Sequence, residues 1–116
     1  MSPKQHPVNR KEFEATVETF LRSLGIPFSS IEPYALAFVH RSAVNEIPER
    51  FPEHNERLEF LGDAVLELII TNRLFHDFPT EPEGRLTDIR SALVRGTNLG
   101  PIAERLGFPD LLVMSR

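Results

Sequence analysis

Apolar residues along the chain recur at helical spacing. Phe13, Val17, Phe20, Leu21 and Leu24 fall three and four apart, which predicts a helix from about Arg10 to Leu24. Asn9 stands at its N-cap with Glu12 three residues on, a capping box, and Gly25 is a natural stop. Residues 1–9 are expected to form a disordered tail ahead of it. A second, shorter helix is predicted from a Ser30 cap through Pro33 to about His40. Proline suits a first turn because the N–H it lacks would be unpaired there. Asn45 to Glu53 holds two prolines and reads as a loop. The longest predicted helix covers about Asn55 to His76. Thr80 with Glu83 forms the next capping box, Pro82 sits in that first turn, and the helix runs to about Arg95. Its apolar side carries Leu86, Ile89, Ala92, Leu93 and Val94. Thr97 or Asn98 opens a last short helix through Pro101 to Leu106, closed by Gly107. No sustained apolar/polar alternation marks a strand. The expected class is all-α, packed as a helical bundle.

Composition narrows the chemistry. The 116 residues suit one domain, and 41% hydrophobic with 26% charged residues is the balance of a soluble globular protein. The longest apolar runs, such as Leu111-Leu112-Val113-Met114, are too short to span a bilayer, and the first residues lack the apolar core of a secretory signal. No membrane partner is expected, and a cytoplasmic location is. With no cysteine, any metal must be held by oxygen or imidazole ligands. The net charge of −4 argues mildly against a passive nucleic-acid binder. It is unevenly spread: residues 51–83 carry two basic against eight acidic residues, whereas residues 84–116 carry five arginines against three acids.

The central helix concentrates the acids. With Glu56 at 0° and about 100° per residue, Leu58, Leu61, Val65, Leu68 and Ile69 fall between about 120° and 220°, a core-facing stripe. Glu56, Glu59, Asp63 and Glu67 fall between about 300° and 20°, a ladder of four carboxylates on the opposite side. Such like-charge neighbours cost a helix about 0.2–0.5 kcal/mol per pair. Two readings follow: a solvated acidic face, or ligands for a bridging cation. Oxygen donors of this kind fit Mg²⁺ or Mn²⁺ rather than Zn²⁺. Phe60, near 40°, is an aromatic on the wet side. It either faces a partner or packs under a neighbouring loop. Gly62 in mid-helix costs about 1 kcal/mol relative to Ala, and close approach of another backbone or side chain is the expected compensation.

The run Asn55-Glu56-Arg57-Leu58-Glu59-Phe60-Leu61-Gly62-Asp63-Ala64-Val65-Leu66 resembles the signature of the ribonuclease III family. The flanks agree: Ala37-Phe38-Val39-His40-Arg41-Ser42 with Asn45-Glu46 before it, although a tyrosine is usual at Ala43, and Pro82-Glu83-Gly84-Arg85-Leu86-Thr87 with Arg90, Leu93 and Val94 after it. The resemblance implies an all-helical endonuclease domain over residues 10–116 that cleaves double-stranded RNA with Mg²⁺ as a homodimer, in processing of rRNA and mRNA precursors. By it, Glu59 and Asp63 are the metal-binding catalytic carboxylates. Glu56 and Glu83 are acids lining the cleavage valley, and Phe60 inserts into the partner subunit. Glu67 has no implied role. Arg41, Arg85, Arg90 and Arg95 are candidates, by charge alone, for contacts to the RNA backbone.

The chain also departs from the family pattern. The family places a second acidic pair, Asp-x-x-Glu followed by Ala, on a later helix, and no Asp here has Glu three residues on. The expectation is therefore a partial domain whose C-terminal helices are missing, without the double-stranded-RNA-binding domain that usually follows, and inactive by itself. The core-facing stripe would then expose a large apolar patch. The alternative is a non-catalytic relative that keeps the fold as an RNA-binding or dimerisation module.

Overall fold

The computed structural model describes residues 9–115. Among them run seven helices: α1 (Arg10–Ser23), α2 (Glu32–Leu36), α3 (Arg41–Glu46), α4 (Glu56–Asp77), α5 (Glu83–Leu93), α6 (Gly96–Leu106) and α7 (Phe108–Leu111). No strand is formed among the described residues; the one extended pairing is an isolated parallel bridge between Val39 and Val113. The all-α class therefore holds. Residues 1–8 of the expected disordered tail lie outside the described residues, and Asn9 belongs to α1 as its N-cap.

The chain divides into two compact units. One comprises the residues up to Leu58 together with those from Pro109 onward, and the other spans Glu59–Phe108. The first unit holds the main core. Asn9 Oδ1 accepts from the Glu12 backbone N–H at 2.8 Å, satisfying one of the unpaired donors of α1. Phe13, Val17 and Leu21 are buried along one side of that helix. They cluster with Ala35, Val39, Ala43, Phe51 and Val113. Phe13 meets Phe51 edge-on with ring centroids 5.8 Å apart, and Phe20 meets Phe38 likewise at 6.2 Å. Past α1 the chain reverses at Gly25, whose φ of +69° is a left-handed conformation that glycine adopts without steric cost.

Between α1 and α4 the expected single helix and loop are replaced by two short helices. Ser30 does not cap α2; Ile31 holds the N-cap without a side-chain hydrogen bond, and the helix stops at Leu36. The bridge explains the stop. Val113 N–H donates to Phe38 O and His40 N–H to Val113 O, both at 2.8 Å, which draws residues 38–40 out of helical geometry. His40 then caps α3, its Nδ1 accepting from Ser42 N–H at 3.1 Å. Part of the expected 45–53 loop is thus the end of α3. Asn55 Nδ2 donates to Ala37 O at 2.8 Å and fixes the entry to α4 within this unit.

The second unit is thinly packed: Leu74 is its buried apolar side chain. Arg90 Nη1 on α5 donates to Thr71 Oγ1 on α4 at 2.9 Å. Near the end of α4, Arg73 Nε donates to Asp77 Oδ2 at 2.7 Å, and that hydrogen bond, with the attraction of the opposite charge, raises the guanidinium pKa. The Thr80–Glu83 capping box does not form. Pro82 is the N-cap of α5, without a side-chain bond, because the Glu83 carboxylate instead accepts from the Thr87 hydroxyl at 2.9 Å. α5 ends at Leu93, and Asn98 Nδ2 closes that end by donating to Leu93 O at 2.8 Å. Arg95, not Thr97 or Asn98, is the N-cap of α6, and Gly107 ends α6 in a left-handed conformation at φ +86° as expected.

The stripe on α4 is not a core face in this chain. Leu61 is 59% exposed, Val65 48%, Leu68 68% and Ile69 60%. Periodicity located the apolar side of the helix, but the side that packs in this unit is the one bearing Thr71 and Leu74, turned toward α5. These side chains leave an exposed apolar patch on α4.

Candidate active site

Helix α4 continues unbroken through the acidic ladder. On it, residues three and four apart have Cβ atoms about 5–6 Å from each other, so Glu59 and Asp63 are neighbours one turn apart. Both are exposed, and neither has an ion-pair or hydrogen-bond partner among the described residues. Glu67, one turn further, is exposed too. Glu56, at the start of the helix, is engaged: its Oε1 lies 3.2 Å from Arg41 Nη1.

Glu83 is placed elsewhere. It opens α5 and lines a cleft of about 620 Å³ walled by Leu74, Phe75, Phe78, Leu86 and Arg90. The α4 residues of that cleft begin at Thr71, eight residues or about 12 Å along the axis from Asp63. Among the described residues no three His, Asp or Glu side chains converge as a metal cluster. The structure therefore brings Glu59 and Asp63 together on α4 and places Glu83 apart from them.

Two carboxylates still suit Mg²⁺, which keeps several waters and is commonly held by one or two carboxylates together with substrate phosphates. Their exposure leaves room for those further ligands. A structural site enclosed entirely by protein, by contrast, does not fit this donor set.

The candidate arginines sort by partner. Arg41 is paired with Glu56 and Arg90 is bonded to Thr71. Arg85 and Arg95 are exposed with no partner among the described residues. Phe60 is 84% exposed, so no loop among the described residues covers it, and the reading that packs it under a neighbouring loop is not realised there. A Cβ added at Gly62 would meet nothing within 4 Å, so the expected compensating approach is not made among the described residues. Sequence reasoning missed the cleft and its exposed aromatics Phe75 and Phe78. Their spacing of three at the end of a helix was the available signal.

Comparison with known proteins identifies the family and the fold. The family model described as the ribonuclease III domain matches residues 56–116, from the first residue of α4 onward. Ribonuclease 3 of Geobacillus thermodenitrificans is 43% identical over 102 residues, covering 88% of this chain and 42% of that protein. Ribonuclease 3 of Staphylococcus aureus (strain JH9) is 38% identical over 113 residues, covering 97% of this chain and 46% of that protein. The crystal structure of the nuclease domain of ribonuclease III from Campylobacter jejuni superposes with a TM-score of 0.72 at 37% identity, covering 85% of this chain and 63% of the other. A second structure of that domain, described for flexibility in a region involved in dimer formation, gives 0.74 at the same identity, covering 85% and 65%. The fold is that of an all-helical nuclease domain. The chain belongs to the ribonuclease III family, and it spans less than half the length of the Geobacillus and Staphylococcus proteins.

Proposed function

We propose that this chain carries part of the machinery of a double-stranded-RNA endoribonuclease of the ribonuclease III type. The observation that carries the reading is the pair Glu59 and Asp63: adjacent on one helix, exposed, and without partners among the described residues, inside the segment that matches the family model. These two carboxylates would hold Mg²⁺, or Mn²⁺ in its place. When bound, the ion supplies a water of lowered pKa and neutralises charge developing on the phosphate. Glu59 and Asp63 fix the ion's position on α4, and their mutual repulsion is relieved by doing so. Glu56 and Glu83 serve as valley acids flanking the scissile strand. Arg41, Arg85, Arg90 and Arg95 contact the phosphate backbone, Arg85 and Arg95 most directly because no group among the described residues competes for them. An acidic site repels RNA by itself, so cation and arginines together reconcile a net charge of −4 with an anionic substrate. Duplex RNA is read largely by shape and 2′-hydroxyls, so little base specificity is expected. The working assembly is a homodimer with Phe60 inserted into its partner, acting on rRNA and mRNA precursors in the cytoplasm.

The test is Mg²⁺-dependent cleavage of a duplex RNA by this chain joined to a segment that carries the family's second acidic pair. Loss of cleavage in Asp63→Asn supports the assignment, and normal cleavage by that variant would overturn it. One observation favours a second reading: no third metal ligand joins the pair among the described residues. A non-catalytic RNA-binding or dimerisation module would bind duplex RNA equally well after chelation and cleave under no metal.

A further inference from the structure

We infer that His40 is a pH-sensitive latch: its neutral ring helps hold the extended segment from Val113 to Ser115 against residues 38–42, and protonation of the ring loosens that hold. Three hydrogen bonds of 2.8 Å fasten the segment. Val113 N–H donates to Phe38 O, His40 N–H to Val113 O, and Ser115 N–H to Ser42 Oγ. The His40 ring touches the last of these acceptors. Its Nδ1 lies 2.8 Å from Ser42 Oγ and accepts from Ser42 N–H at 3.1 Å.

These roles fit one protonation state. A backbone N–H only donates, so Ser42 N–H requires Nδ1 to be bare, with the ring proton on Nε2. The Ser42 hydroxyl has one hydrogen and two lone pairs. One lone pair takes Ser115 N–H, and the hydrogen faces Nδ1, so every donor meets an acceptor. A protonated ring is a donor at both nitrogens. Ser42 N–H then confronts another N–H, and the side-chain cap that His40 gives α3 is lost. A positive charge also sits where the first N–H groups of the helix point. The new Nδ1–H turns to Ser42 Oγ and reverses its hydroxyl, the group that Ser115 relies on.

The neighbouring charges do not stand in for the lost bond. Arg41 and Glu46 lie on α3, and His54 and Glu56 at the entry to α4, while Leu111 to Ser115 bring no titratable side chain. Glu56 is paired with Arg41 at 3.2 Å, and His54 Nδ1 accepts from Glu56 N–H at 3.3 Å. No carboxylate is paired with His40 among the described residues. Imidazole is the side chain whose charge ordinarily changes between about pH 5 and 8. The open form binds the proton more readily than the closed one, so closure strengthens as pH rises through that range and weakens as it falls. Val39, next to His40, accepts from Asn55 N–H at 2.9 Å. One stretch of backbone thus holds both the 113–115 segment and the entry to α4. The latch stands whether or not the chain cleaves RNA.

Hydrogen exchange of the 116-residue chain tests it, with protection corrected for the exchange rate of a free chain at each pH. Protection at Val113 and Ser115 is expected to fall roughly fivefold between about pH 7.5 and 5, the effect of losing one N-cap. The fall should follow the titration of the His40 ring, read by NMR. Val17 in α1 should stay protected, because the opening is local. His40→Asn should remove the pH dependence, since an asparagine Oδ1 caps the same N–H without titrating. His54→Asn should keep it. Equal protection of Val113 and Ser115 at both pH values overturns the latch. So does a parallel fall at Val17, which would be global acid unfolding, or a fall in His40→Asn equal to that of the parent. Should His40→Asn fail to fold, the parent chain decides: protection that follows the His40 ring upholds the latch, and protection that follows the His54 ring or a carboxylate overturns it.

Discussion

Arg41 Nη1 lies 3.2 Å from Glu56 Oε1, so a candidate phosphate-binding arginine and a candidate valley acid are paired with each other. Their side chains are 63% and 51% exposed. A pair so open to water contributes at most about 1 kcal/mol. Arg41→Ala is therefore expected to shift the urea midpoint only slightly. If Arg41 serves RNA, the same variant weakens duplex binding at low salt. A large loss of stability would show instead that the pair is structural.

Glu59→Gln and Asp63→Asn should leave folding unchanged, since neither carboxylate has a partner among the described residues to lose. If the pair holds the metal as proposed, each variant loses one ligand, and a fall in cleavage on the order of 100-fold or more is expected. Thermal melting beside a Mg²⁺-dependent cleavage assay checks both halves of the statement.

Arg85→Ala and Arg95→Ala should weaken binding about equally across duplex sequences and lower the salt slope by about one unit each. Arg90→Ala should behave differently, because its guanidinium is already committed to Thr71 and its removal loosens α5 from α4. Binding titrations at several salt concentrations distinguish them. Identical slopes for all four proteins would count against arginine contacts to phosphate.

Val17 is completely buried, and Phe13 nearly so, at the centre of the first unit. Phe13→Ala is expected to cost about 3–5 kcal/mol, and Val17→Ala less because it deletes fewer atoms. At the surface, Asn9→Ala should cost about 1 kcal/mol through loss of the cap on α1. Denaturant unfolding ranks the three. Asn9→Ala as costly as Phe13→Ala would contradict the assigned core.

What could be read from the sequence depended on whether the signal was local. α1 was legible because its cap, its apolar spacing and its terminal glycine are all written between Asn9 and Gly25. α4 was legible for the same reason, and its acidic ladder with it. α2 and α3 were not, since helices of five and six residues are too short to show a period. Their break is enforced by Val113, over seventy positions away in the chain. The stripe on α4 is the instructive case: spacing identified which residues share a side, but which side finds a neighbour depends on elements that spacing does not describe. Glu83 fell to the same limit. Its resemblance to a family acid was plain, yet its bond to Thr87 and its place in the cleft beyond Thr71 are tertiary facts.

The bridge of Val39 to Val113 also bears on how the molecule comes into being. Its first unit needs both Leu111 and Val113 to close its core, and Ser115 N–H adds a 2.8 Å bond to Ser42 Oγ. A chain made from its N-terminus exposes α1 to α3 long before those residues emerge. The first unit must wait, partly open, while all of Glu59–Phe108 is synthesised, so the part with the larger core is the last to be sealed.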